Sequence, residues 1–151
     1  MLPKPLAPGP HLSRLEYVPV RDLMTPNPVS VRRGITVREA AAFLAGRGIG
    51  AAPVVNDAGR AVGVLSRSDV LLAVTAGVDG APVREVMTPS VIGVRPNATA
   101  LEACNQIVRH LVRRVFVLDS EGVPVGVVST TDLLRGLNAL WGAPAPIAIA
   151  G

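Results

Sequence analysis

The chain has 151 residues, 49% of them hydrophobic and 17% charged, which is enough apolar content for one compact domain with a sizeable core. Aromatic residues make up only 3%, so that core must be built from Val, Leu, Ile and Ala, and there is no row of stacking platforms for a nucleic-acid single strand. The net charge of +4 comes from arginines spread along the chain, which fits a solvated, mildly basic surface better than a nucleic-acid track.

Residues 1–17 carry Pro3, Pro5, Pro8 and Pro10 and show no hydrophobic period, so a flexible arm is expected there and no signal-peptide core is visible. The apolar stretch from Ala143 to Ala150 is short and broken by Pro144 and Pro146, so nothing approaches a membrane span. Cys104 is the only cysteine; with no internal disulfide available, a reducing, cytoplasmic compartment is the natural expectation. His11 and His110 have no metal-ligand partners at useful spacing, and no metal site is expected.

From Val20 the chain repeats itself at an offset of 63 residues, with 18 identities when 20–74 is laid on 83–137. V-R-D-L-M-T-P at 20–26 returns as V-R-E-V-M-T-P at 83–89. Each copy predicts a short helical turn stopped by Thr-Pro, because the residue before proline avoids the helical region. Short strands follow at 29–31 and 91–94. T-V-R-E at 36–39 and T-A-L-E at 99–102 then fit the Thr-x-x-Glu capping box of a helix start. Val37, Ala40, Ala41 and Leu44 fall on one face of the first helix, and Ala100, Ala103, Cys104 and Ile107 on one face of the second. Apolar strands at 52–55 and 115–118 lead through N-D-A-G and D-S-E-G turns into strands at 61–65 and 124–128. Short helices over 70–74 and 133–137 close the copies.

Each copy is therefore β-α-β-β-α, and a unit of about 55 residues buries too little surface to stand alone. The expected fold is α/β (α+β), two such repeats packed sheet to sheet about a pseudo-twofold axis. The domain limits follow: arm 1–17, repeat one 18–76, linker 77–82, repeat two 83–138 and tail 139–151.

The motif that carries chemistry is V-G-V-L-S-R-S-D at 62–69, echoed as V-G-V-V-S-T-T-D at 125–132. A buried strand running into a helix start presents free N–H groups and partial positive charge, where phosphate can sit. Hydroxyls at Ser66 and Ser129 add donors, and the carboxylates of Asp69 and Asp132 can accept from a pair of ribose hydroxyls. The competing reading is plain: Ser-x-x-Asp is also close to a capping box whose side chains satisfy only their own helix. No nucleophile–base pair, paired carboxylates or glycine-rich phosphate loop points to an enzyme.

M-T-P at 24–26 and 87–89, A-P-V-V at 52–55 and the two V-G-V-x-S-x-x-D runs, in one order at constant spacing, resemble the tandem CBS (cystathionine β-synthase) domain pair, or Bateman module. The resemblance implies two clefts between the repeats, non-catalytic binding of an adenosyl effector (AMP, ADP, ATP or S-adenosylmethionine), regulation of a partner protein, and a homodimer. A ligand-free dimerisation or interaction module is the alternative. By the same resemblance, Asp69 and Asp132 hold ribose, while Ser66, Ser68, Ser129 and Thr131 lie near ribose and phosphate. Pro28 with Val29, and Val91 with Ile92, supply backbone along adenine. Arg113 and Arg114 match the basic phosphate positions, which in the first repeat are Gly50 and Ala51. Twofold pairing then gives the Asp69 cleft the two arginines and leaves Gly50 and Ala51 opposite Asp132. Phe116, where the first repeat has Pro53, either crowds adenine or packs in the core.

Overall fold

A computed structural model describes residues 12–142. The first half contains α1 (Leu12–Leu15), β1 (Thr25–Pro26), β2 (Val31–Arg32), α2 (Val37–Gly46), β3 (Ala51–Val55), β4 (Ala61–Ser66) and α3 (Arg67–Thr75). The second contains β5 (Gly93–Val94), α4 (Ala100–His110), β6 (Arg114–Leu118), β7 (Pro124–Ser129) and α5 (Thr130–Leu140). Single 3-10 turns at Val20–Asp22 and Val83–Glu85 open the two halves.

Local chemistry accounts for the element ends. Thr36 accepts from the Glu39 amide at 3.1 Å, and Thr99 and Glu102 form a reciprocal capping box at 3.2 and 3.0 Å. Gly59 and Gly122 take positive φ in the hairpin turns, a conformation open to glycine at no steric cost. β3 and β6 are nearly all buried, as continuous apolar runs between two layers should be. One sheet has the order β2-β3-β4 and the other β1-β7-β6-β5.

That second order shows how the halves interlock. β1 comes from the first repeat but pairs with β7 of the second, Thr25 opposite Val127. Thr88 mirrors it, exchanging backbone bonds of 2.9 and 3.0 Å with Val64. Above these pairs Met24 lies against Gly126 and Met87 against Gly63, where a side chain would collide with the methionine. Val20, fully buried, belongs to the core of the second repeat, and Val83, also fully buried, to that of the first. Burying each valine contributes about 1.5–3 kcal/mol, and in both cases that energy ties one repeat to the other. The V-R-x-x-M-T-P and V-G-V motifs are thus two sides of one contact.

The expected α/β architecture stands, with differences in detail. The strands after each M-T-P are shorter and later than expected, at 31–32 and 93–94, because the Thr-Pro pairs themselves enter or border the opposite sheet. The closing helices start earlier, directly after Ser66 and Ser129, because those serines cap them. Most of the expected arm, 1–11, lies outside the described residues, but α1 adds a helical turn whose Leu15 is buried in the second core. Residues 143–151 of the tail also lie outside the described residues. No helix among the described residues is long and apolar enough to cross a membrane.

Candidate functional site

At each strand-to-helix junction the Ser and Asp form a complete capping box. The Ser66 amide donates to Asp69 Oδ2 at 2.9 Å while Ser66 Oγ accepts from the Asp69 amide at 3.2 Å. The Ser129 amide and hydroxyl both donate to Asp132 Oδ2, at 2.8 and 2.9 Å. The capping geometry weighed from the sequence is therefore present in both copies, and it uses one oxygen of each carboxylate. The remaining oxygens differ. Asp132 Oδ1 lies 3.9 Å from Arg135, whereas Asp69 Oδ1 has no hydrogen bond or ion pair among the described residues. The counterpart of Arg135 in the first repeat is Leu72, which has no charge to offer.

Beside the Ser66 junction a cavity of about 720 Å³ opens between the repeats. The first repeat contributes Gly50, Ala51, Val64, Ser66, Arg67 and Ser68 to its walls. The second contributes the segment Thr88, Ser90 and Ile92, the end of α4 through His110, Leu111 and Val112, and Arg113, Arg114 and Phe116. Of the residues singled out from sequence, Ser66, Ser68, Gly50, Ala51, Ile92, Arg113 and Arg114 meet here. Asp69 does not itself line the cavity; it sits one turn into α3, half-buried in its cap. Val91 lines a separate depression of about 440 Å³ near Asp119. Pro28, Val29, Ser129, Thr131 and Asp132 do not line the large cavity, in keeping with their place on the other side of the pseudo-twofold.

One placement differs from expectation. Gly50 and Ala51 line the same cavity as the two arginines, because the residues leading into β3 and β6 face each other across the axis. Gly50 is empty space that Arg114 uses: a Cβ there would lie 2.9 Å from Arg114 Nη2.

Electrostatically the cavity is one-sided. Arg67, Arg113 and Arg114 line it, and among the described residues no acidic side chain does. Among the described residues no salt bridge neutralises any of the three. Burial, and then the positive charges of Arg113 and Arg67, hold the Arg114 guanidinium below its ordinary pKa. Arg67 is braced by its Nε, which donates to the Ile49 carbonyl at 3.2 Å. Such a cluster, with Ser66 and Ser68 hydroxyls beside it, offers forked donors to phosphate oxygens. The remaining lining residues include Val64, Ile92, Leu111, Val112 and Phe116, an apolar set that suits a planar base.

The CBS domain family model matches residues 20–76 and 83–139. The chain belongs to the CBS-domain family. This CBS pair is 35% identical to the CBS domain-containing protein YhcV of Bacillus subtilis over 76% of the chain and 81% of that protein. It spans much less of some other relatives: 44% of protein MJ1225 of Methanocaldococcus jannaschii and 29% of the magnesium transporter MgtE of Thermus thermophilus. Among solved structures, the cytosolic domain of the Mg2+ channel MgtE in complex with ATP superposes with a TM-score of 0.71 at 34% identity, covering 83% of this chain and 51% of that one. CBSX2 of Arabidopsis thaliana in complex with AMP superposes with a TM-score of 0.72 at 26% identity, covering 82% and 98%.

Several cavity residues of this CBS pair escaped the sequence reading. Arg67, between the hydroxyl residues of the S-R-S-D motif, carries a charge that its counterpart, the neutral Thr130, lacks. His110 and Leu111 looked like an ordinary helix end. Phe116, left open between two roles, takes part in both: it is buried and also walls the cavity. Burial pushes the Cys104 thiol up, which keeps it protonated, as expected of a small hydrophobe in α4.

Proposed function

We propose that this CBS pair is a non-catalytic regulatory module that binds one phosphorylated adenine nucleotide per chain in the cavity beside Ser66. The observation that carries the reading is the cluster of Arg67, Arg113 and Arg114 around a cavity with no acidic lining residue. Like charges drawn together, with Arg114 half-buried beside the exposed Arg67 and Arg113, are unfavourable without a counter-charge, and an anion relieves that. The bound AMP and ATP of CBSX2 and of the MgtE cytosolic domain agree with an adenine nucleotide. The same charge argues against S-adenosylmethionine, whose sulfonium is itself positive. The Asp132 side has Arg135 already paired with its aspartate, so it is expected to stay empty or to take a less anionic ligand.

Thermal unfolding with AMP, ADP, ATP, adenosine and S-adenosylmethionine tests the reading. A ligand at a hundredfold excess over its dissociation constant stabilises the native state by about 2.7 kcal/mol. The phosphorylated nucleotides should raise the melting temperature and S-adenosylmethionine should not; no shift with any of them contradicts the proposal.

The interaction-module reading has its own support. Leu71 on α3 and Leu134 on α5 are equivalent positions, 65% and 61% exposed, and Leu72 and Val74 lie exposed beside Leu71. Two pseudo-symmetric apolar helix faces suit a second copy of the same chain, so we assign them to a homodimer that carries the nucleotide site rather than replaces it.

A further inference from the structure

The equivalent helices α2 and α4 end in the same way but with different residues. In the first repeat α2 is closed by Gly48 at φ 62°, and the Ile49 amide bonds back to the Leu44 carbonyl at 2.9 Å. In the second repeat α4 is closed by Leu111 at φ 54° and ψ 41°, and the Val112 amide bonds back to the Ile107 carbonyl at 3.2 Å. Both are left-handed helix ends of the kind that glycine or asparagine normally supplies. Of the two non-glycine residues with positive φ among the described residues, Asn27 is a type that tolerates it, and Leu111 is not. A leucine here strains the backbone, and folding gains nothing visible in return: its side chain is 78% exposed.

What Leu111 does have is a place in the lining of the cavity proposed for the nucleotide, which Ile92, Val112 and Phe116 also line with apolar side chains. We propose that Leu111 is a further binding residue that closes over the base of the bound nucleotide, and that its strain is retained for that contact. The proposal rests on the nucleotide reading given above. Physically, a large apolar side chain already exposed to water and fixed at the cavity mouth loses that exposure only when a ligand arrives. The fixed backbone also means that little freedom is lost in making the contact.

The test is Leu111→Gly, with Leu111→Met as the conservative variant, each titrated with adenosine and ATP by calorimetry and melted without ligand. Leu111→Gly should keep the melting temperature or raise it by about 3 °C, as relief of a strained left-handed residue would. It should weaken adenosine and ATP alike by roughly tenfold, since the lost contact is to the base. Leu111→Met should restore most of that affinity. Unchanged affinity in Leu111→Gly overturns the proposal, as does a loss confined to ATP or a lowered melting temperature. A change of oligomer mass with unchanged affinity would instead assign the side chain to a second copy. If the unaltered protein binds neither adenosine nor ATP, the nucleotide reading itself fails and this proposal falls with it.

Discussion

Gly50 and Arg114 share one volume: the side chain that Gly50 lacks is replaced by the Arg114 guanidinium, with Nη2 and Nη1 at 2.9 and 3.1 Å from where a Cβ would be. The absence of a basic residue at the start of β3 is thus the condition for the basic residue at the start of β6 to reach the cavity.

Gly50→Ala should therefore act on the ligand more than on the fold. The clash is with the far end of a flexible side chain, so stability should change by no more than about 0.5 kcal/mol. The guanidinium must move, and ATP should bind about tenfold more weakly, equivalent to about 1.4 kcal/mol. Gly63→Ala is the contrasting case: its Cβ would meet the Thr88 carbonyl and Met87 Sδ at 2.6 Å each. Overpacking the contact that joins the repeats should destabilise by about 1–3 kcal/mol. Melting curves and ATP titrations of the two variants should show opposite patterns.

Arg67→Ala and Arg113→Ala should separate phosphate from nucleoside recognition. Removing either should weaken ATP by tenfold or more, because a charge-assisted hydrogen bond is worth about 1.5–3 kcal/mol. Adenosine should bind as before. Titrations at rising salt should show a flatter dependence for ATP in both variants, since one screened charge pair has gone.

Asp69→Asn distinguishes the cap from a ribose contact. Asparagine can keep the cap by accepting from the Ser66 amide, but its second polar atom is a donor and cannot receive a ribose hydroxyl. Stability should stay within about 0.5 kcal/mol, against a loss of about 1 kcal/mol for Asp69→Ala. Adenosine and ATP should both weaken by about tenfold. Should affinity hold in Asp69→Asn, the carboxylate serves the helix alone.

Much of this was legible in the sequence because the repeat doubles every signal. The capping residues Thr36 and Thr99, the turns at Gly59 and Gly122, and the buried strands follow from local chemistry that acts over a few residues. The exchange of Val20, Val83 and the Thr-Pro pairs between repeats was not legible, since a motif does not say which half its buried valine joins. At the site, Ser66, Ser68, Arg113 and Arg114 stood out by residue type. Arg67, His110 and Leu111 reach the cavity only through the directions in which α3 and α4 begin and end. The contact of Gly50 with Arg114 is a three-dimensional relation, and the twofold pairing implied by the resemblance set Gly50 opposite Asp132 instead.

The exposed leucines on α3 and α5 give a prediction about assembly. Light scattering should return a dimer mass at micromolar concentration, and Leu71→Glu with Leu134→Glu should return a monomer, because a charge placed in an apolar interface is strongly unfavourable. A monomer mass for the unaltered protein would contradict the homodimer.

The most direct measurement is isothermal titration of the purified chain with ATP, adenosine and S-adenosylmethionine at one salt concentration. The predicted result is one ATP per chain, bound at least tenfold more tightly than adenosine, with S-adenosylmethionine the weakest. Equal affinities for ATP and adenosine, or two equivalent ATP sites per chain, would contradict a single cavity selected by Arg67, Arg113 and Arg114.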